Sequence, residues 1–475
     1  MKPFNLNRVA YALSLFSLFA VLTLFLGTVS AYADEPSAGT YSVRSYGAVG
    51  DGQTKDTIAI QKAIDACTQN GGGTVVVPPG TYLSGSLFLK NNVDFQLMAG
   101  AMIQASPDKE DYNAADVCPQ NYANPRESSS GAHLFLCIEQ KNVSLRGPGR
   151  IDGASLKFIV DEKGTPYPGQ DKIPWRPSQM LYFVESDNIR VQDIELTNSS
   201  YWTSFYHGCT HVFIRGVKIQ NSRNPHTHNG DGIDIDCCEY VSISDCQINS
   251  ADDCITLRAN SSRLKTPRPC RYVTVNNCIL STPCNCFRFG VGNGLVEFVT
   301  IDNIVIESAR TAFNFVSSWS ETSRGVDMRN IRINNITADC AVLLHMYYNF
   351  AKETEIRDIA ITGVTGTLRQ VAHMDPLRRD KDCVWLNQYA PAAINMVGRS
   401  ENPIKEIRFA DIQLKVFPKA IWHGEYIDGL SMENVVFQSV NPEQPTQYDL
   451  IHVSNFFSAG RNVPEPNIKT DPLQK

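Results

Sequence analysis

One apolar pattern returns along most of this chain, and a repeat of this kind restricts the fold more tightly than composition does. It reads apolar, any, apolar, two residues, apolar, and usually any, apolar. Copies run Ile189-x-Val191-x-x-Ile194-x-Leu196, Val212-x-Ile214-x-x-Val217-x-Ile219, Val241-x-Ile243-x-x-Cys246-x-Ile248 and Val273-x-Val275-x-x-Cys278-x-Leu280. Val299, Ile331, Ile359, Ile407 and Leu430 open further copies, and the openings from Ile189 onward lie 23, 29, 32, 26, 32, 28, 48 and 23 residues apart. Alternation within each half marks short strands, and the two-residue step between halves marks a bend. Units of this length form solenoids, whose coils bury one continuous core by stacking. Val, Ile, Thr and Asn dominate the units, which lack the leucine spacing and helix of a leucine-rich repeat. A β-sandwich does not repeat one pattern at a near-constant period. The expected fold is all-β, a single-stranded right-handed parallel β-helix.

An open solenoid end needs a cap. Asp56 to Asn70 predicts a capping helix, with Asp56 as N-cap, Ile60, Ala63 and Ile64 on one face and Gly71-Gly72-Gly73 as the stop. Strands follow at Thr74 to Val77 and from Leu87. Residues 106–131 and 155–178 are polar and Pro-rich and read as loops. Coils are expected over about 74–440. The tail at about 441–475 leaves the pattern and is expected to pack along the outside.

Residues 1–33 carry Lys2 and Arg8, a nearly unbroken apolar stretch from Val9 to Leu26, and Ala31-Tyr32-Ala33 before Asp34. This layout predicts a cleaved secretory signal peptide rather than a retained anchor. A single domain over 34–475 is then exported to the periplasm or the medium, monomeric and with no stable membrane association. Loss of Lys2 and Arg8 moves the formal net charge from −6 to −8. Such an acidic chain without a basic stripe is a poor nucleic-acid partner. A locally basic cleft can still take a polyanion. The 14 cysteines lack paired zinc-hook spacing; several fall at equivalent repeat positions. Buried structural roles are expected for most, with some bridged, as an oxidising compartment permits.

Aligning coils by one strand sets Asn229-Gly230-Asp231-Gly232-Ile233-Asp234-Ile235 against Ala251-Asp252-Asp253-Cys254-Ile255-Thr256-Leu257. Asp231 then stacks on Asp253 about 4.8 Å away, and one of the two should hold its proton to a raised pKa. Asp252 points elsewhere, because successive strand side chains face opposite ways. Such a set suits inverting glycoside hydrolysis, where an acid protonates the leaving oxygen and a carboxylate roughly 6.5–9.5 Å away activates water. Calcium ligation and solvated turn aspartates are the competing readings.

Asn229-Gly-Asp231-Gly-Ile-Asp, followed by Asp252-Asp253-Cys-Ile, resembles glycoside hydrolase family 28, the polygalacturonases and their relatives. Tyr46-Gly47-Ala48-Val49-Gly50-Asp51-Gly52, Asp56-Thr57, Gln61-Lys62-Ala63-Ile64, Gly71-Gly72-Gly73, Trp175-Arg176-Pro177 and Asn198-Ser199-Ser200-Tyr201-Trp202 extend the likeness over roughly residues 41–440. The resemblance implies a pectin lyase-like solenoid that hydrolyses a pectic polysaccharide or oligosaccharide with inversion and needs no metal or other cofactor. It implies Asp252 as general acid, with Asp231 and Asp253 sharing the base role.

Two further family motifs are altered. Cys284-Asn285-Cys286 stands for Gly-His-Gly, and Asn314-Phe315-Val316 for Arg-Ile-Lys. The substrate-binding candidates are therefore Asn229, Asn285, Asn314, Arg258, Arg288 and the loop Arg263-Leu-Lys265-Thr-Pro-Arg268-Pro-Cys-Arg271. His226 or His228 is a candidate for the missing imidazole, and Tyr347, Tyr348 and Trp202 for stacking on sugar. Galacturonan and branched or rhamnogalacturonan-type pectin both remain open as substrates. A calcium-dependent polysaccharide lyase and a non-catalytic carbohydrate-binding β-helix are the alternatives.

Overall fold

The computed structural model describes residues 39–469, apart from 122, 223–224, 319–322, 352, 370–391, 417–420, 441–442, 444–446 and 461–466. The expected signal peptide at 1–33 and Cys383 lie outside the described residues. No helix among those described is long and apolar enough to cross a membrane.

The repeat maps onto the stacking residue by residue. Ile189 pairs with Val212, Val212 with Val241, Val241 with Val273, and Val273 with Val299. The column continues through Ile331, Ile359, Ile407 and Leu430. All the strand ladders run parallel, and each coil pairs with the coils before and after it. The fold is the expected parallel β-helix. Its interior is one apolar cluster that runs from Val43 to Leu450.

At the bends, residues with positive φ replace helix or strand conformations. Asn92, Asn142 and Asn188 form one such file at φ 60°, 58° and 55°. Their side-chain amides bond to one another from coil to coil at 2.9 Å, forming a ladder along the bend. His211, Tyr240, Tyr272 and Phe298 continue the same file as a stack of rings 5.0–5.5 Å apart.

The cap is present as helix α1, Thr57–Gln69, which buries Ile60, Ala63, Ile64 and Cys67. Asp56 does not cap it through its side chain. Its carboxylate instead accepts the Val49 and Gly50 N–H groups at 2.6 and 3.0 Å, fastening the preceding turn. Gly73 has φ 146°, and a Cβ there would sit 2.3 Å from the Gly39 carbonyl oxygen, so the helix stop requires glycine.

Two expectations fail. The tail does not leave the pattern: Gln447–Ala459 pairs in parallel with Ile421–Ser439, and Asn467–Lys469 pairs with it in turn. Leu450 and Phe456 continue apolar columns that the looser tail sequence obscures. Bridges are also not found among eleven described cysteines, which take the buried packing role expected for most. Cys67, Cys118, Cys137, Cys209, Cys237, Cys238, Cys246, Cys254, Cys270, Cys278 and Cys340 are buried thiols. Coil stacking already sets these side chains among apolar neighbours, where a thiol serves as a small hydrophobe.

Candidate active site

Four consecutive coils build the site. The Thr203 N–H donates to the Asp231 carbonyl, the Gly232 N–H to that of Asp253, and the Cys254 N–H to that of Asn285, at 2.9, 2.8 and 2.9 Å. Asp231 therefore lies over Asp253 as expected, with Asn285 next in the file. Gly232 is required at this crossing, because a Cβ on it would lie 2.4 Å from the Cys254 carbonyl oxygen. Asp231, Asp252 and Asp253 line one cavity of about 300 Å³, with Glu127, Trp202, Asn229, Thr256, Arg258, Arg288 and Val291.

The three acids sit in different surroundings. Asp253 is 1% exposed and receives three donors. Asn285 supplies its Nδ2 at 2.6 Å and its backbone N–H at 3.3 Å to Oδ1, and Arg288 supplies Nη1 at 3.2 Å to Oδ2. These three donors hold the carboxylate in place, as a base needs. Asp231 is raised well above the ordinary carboxyl range by burial, then by the neighbouring charges of Asp234, Asp252 and Asp253. Asp231 therefore holds its proton more tightly than an ordinary carboxyl. Asp252 is half-buried. Hydroxyls of Ser250 and Thr282 donate to its backbone carbonyl and fix the peptide that carries it.

Asp234 completes the charge pattern and was not singled out in the sequence. It is fully buried, one coil from Thr256, whose hydroxyl donates to it, and Arg258 lies 3.8 Å away. Burial pushes its pKa up to about 7, against the opposing pull of Arg258. A carboxyl with a raised folded pKa binds its proton more tightly folded than unfolded, so its contribution favours folding at low pH and is lost as pH rises from about 4 through 7. The Tm of Asp234→Asn minus that of the unaltered protein is expected to become more positive by a few degrees between pH 4 and pH 8. Scanning calorimetry checks this, and a flat or falling difference contradicts it.

Arg258 and Arg288 are the cations of the cavity. Arg258 pairs with Asp236 at 3.5 Å and lies 4.4 Å over the Trp202 ring. Trp202 stacks on Tyr201 at 5.0 Å, and the Arg176 guanidinium lies 4.8 Å from the Tyr201 ring. Trp202 is therefore flanked by Arg258 and Tyr201 where it lines the cavity, and it positions the guanidinium. Asn229, at φ 57°, accepts from Arg176 at 3.2 Å. Asn314 donates to Asn285 at 3.2 Å, so both altered motif positions feed the Asp253 hydrogen-bond chain.

Other candidates fall elsewhere. His226 and His228 meet edge to face at 5.2 Å and are not among the residues that line the cavity. Tyr348 is in the core, with its hydroxyl donating to the Pro403 carbonyl at 3.2 Å; strand alternation turns it inward and Tyr347 onto His345. The basic loop is matched away from the cavity. Lys265 pairs with Glu139, Arg271 with Glu239 at 2.6 Å, and Arg263 donates to the Asn121 carbonyl at 3.1 Å.

Ligand atoms of Asp252, Asp253 and Cys284 lie within 4.8 Å of one another. Calcium takes six to eight oxygen ligands, and a thiol is a soft donor, so this set does not fit the calcium reading.

The family model for glycosyl hydrolases family 28 matches residues 67–384. The chain belongs to that family. A probable polygalacturonase from Vitis vinifera is 28% identical over 229 residues, which are 47% of this chain and 45% of that relative. An exo-poly-alpha-D-galacturonosidase from Dickeya chrysanthemi is 22% identical over 443 residues, covering 77% and 69%. The match thus spans about half of the grape protein. A hyperthermoactive exopolygalacturonase from Thermotoga maritima has the same fold, with TM-score 0.64 at 19% identity over 85% of this chain and 93% of that one. Neither Asn285 nor Asn314 is a cation; the Asn285 amide donates to Asp253, and the Asn314 amide donates to Asn285.

Proposed function

We propose that this protein is an exported inverting glycoside hydrolase that cleaves pectic polysaccharide or its fragments. The observation that carries the proposal is the unequal surroundings of three acids that line one cavity. Asp253 is surrounded by donors, the pKa of Asp231 is raised by burial, and Asp252 is half-buried in the same cavity. In this reading Asp252 protonates the glycosidic oxygen. Asp253 takes a proton from water as that water attacks the anomeric carbon, and Asp231 hydrogen-bonds the water from the adjacent coil. The bond from the anomeric carbon to the leaving oxygen breaks as the new carbon–oxygen bond forms on the other face. The pectin-directed names of the family relatives support the substrate class, and the sequence at 1–33 supports export.

Arg258 and Arg288 are the groups here for a uronate carboxylate. Replacing either with Gln is expected to raise KM for an acidic oligosaccharide about 10- to 100-fold, the worth of one charge-assisted contact, and to leave KM for a neutral one within threefold. Equal effects on both substrates contradict that role. The hydrolase reading itself is tested on a panel of pectic polymers. New reducing ends without ultraviolet-absorbing unsaturated products are expected, insensitive to chelator. Unsaturated products lost with chelator mark a lyase, and no turnover of any polymer marks a binding protein.

A further inference from the structure

A buried cation stands behind the acids and reaches them through sulfur. Arg310 is buried and is not among the residues that line the cavity. It comes from the next coil, where its neighbour Thr311 pairs with Asn285. The Arg310 Nη2 donates to Cys284 Sγ at 3.1 Å. The Asn285 Nδ2 donates to the same sulfur at 3.4 Å and to Asp253 Oδ1 at 2.6 Å, while Asn285 Oδ1 accepts from Asn314 at 3.2 Å.

Both polar atoms of the Asn285 side chain are thus engaged, and the amide fits only one way round. Turned over, its oxygen would face the Asp253 carboxylate and its NH2 group would face that of Asn314, so neither contact would hold. Cys284 is the part of this lock that the third family motif lacks, because a glycine stands there and offers no acceptor.

The same residue is tied to the other acid. The Cys284 N–H donates to the Thr282 hydroxyl at 3.0 Å, and that hydroxyl donates to the Asp252 carbonyl. Cys284 therefore reaches Asp253 through Asn285 and Asp252 through Thr282. It is buried and is not among the cavity-lining residues, so it acts on the acids rather than on sugar.

We propose that Cys284 is a positioning residue for the acid–base pair: its sulfur, held by Arg310, locks the Asn285 amide with nitrogen toward Asp253, and its peptide steadies Asp252 through Thr282. This rests on the hydrolase reading above and adds to it the group that fixes the two acids relative to each other. Without the sulfur, Asn285 loses one of its three contacts and Asp253 is held less firmly where the water must be. A small misplacement of reacting groups is felt in kcat, whereas the groups that face the substrate stay as they are.

The test uses the full-length protein and a pectic oligosaccharide that it cleaves. Cys284→Ala is expected to lower kcat about tenfold or more, with KM within twofold. Cys284→Ser, whose hydroxyl accepts from both donors, should stay within threefold of the original kcat. Cys284→Val restores buried volume without an acceptor and should behave as Cys284→Ala, which keeps the comparison available should the alanine variant fold poorly. Recovery by valine and not by serine means that the sulfur only fills space, and overturns this inference. So does a full kcat in Cys284→Ala and Cys284→Val, or a parallel change in kcat and KM, and each leaves hydrolysis standing. No turnover of any pectic oligosaccharide by the unaltered protein overturns both.

Discussion

Asp252→Asn is expected to lower kcat at least a thousandfold on a pectic oligosaccharide, with KM within about threefold of its original value. A positioned general acid contributes about 10²–10⁴ in rate, and its loss is felt only where the proton moves, so kcat carries the effect. Asparagine keeps the size and the backbone contacts from Ser250 and Thr282, so the carrying peptide stays in place. A leaving group already acidic enough to depart unprotonated should recover much of the lost rate in this variant, which a fold defect would not allow. If Asp252→Asn keeps more than a tenth of its activity, the acid is another residue. Asp231 is then the next candidate, because burial and the charges of Asp234, Asp252 and Asp253 raise its pKa.

The second large effect lies away from the reacting atoms. Arg176→Met is expected to lower stability by about 3–5 kcal/mol and activity by more than tenfold. The guanidinium is completely buried and donates to the Ser200, His228 and Glu127 carbonyls and to Asn229 Oδ1. Burial lowers its pKa to about 10, which still leaves it charged at neutral pH. Methionine fills much of the volume but leaves four acceptors without this donor, at about 1–3 kcal/mol for each one that stays buried and unpaired. Both long loops and Asn229 lose their common anchor, so kcat and KM should move together. Denaturant unfolding and steady-state kinetics check the pair of effects. A stable variant with full activity contradicts the anchoring role.

How much of this was legible in the sequence depends on whether a feature belongs to the repeat. The column from Ile189 to Leu430 could be read directly, because coil stacking sets like residue on like and apolar alternation reports it. The Asp231–Asp253 contact followed from the same alignment, and so did the raised proton affinity of one member. Features off the repeat were hidden. Glu127 and Arg176 come from loops whose text carries no period, and only folding brings them beside Tyr201. Tyr347 and Tyr348 differ by one position, and the strand runs too continuously through its bends for sequence alone to say which faces inward. Asn285 was read as a substrate-binding candidate standing in a histidine's place. It proves to be a donor to Asp253, a role that one adjacent coil decides. The basic loop at 263–271 looked like a cationic patch because its acidic partners, Glu139, Glu185 and Glu239, are distant in sequence.

The spacing of the acids bears most on mechanism. Nearest ligand atoms of Asp252 and Asp253 lie within 4.8 Å, closer than the roughly 6.5–9.5 Å expected between acid and base carboxyl groups in inverting enzymes. The stacked Asp231 joins this pair. It places a second carboxyl on the coil beside Asp253, so water can be held between coils rather than along one strand. The direct measurement is the anomeric configuration of the first product, followed by proton NMR before mutarotation. The account predicts a new reducing end whose anomer is opposite to the linkage cleaved, formed by the unaltered protein and not by Asp252→Asn. A first product that retains the configuration of the substrate contradicts it.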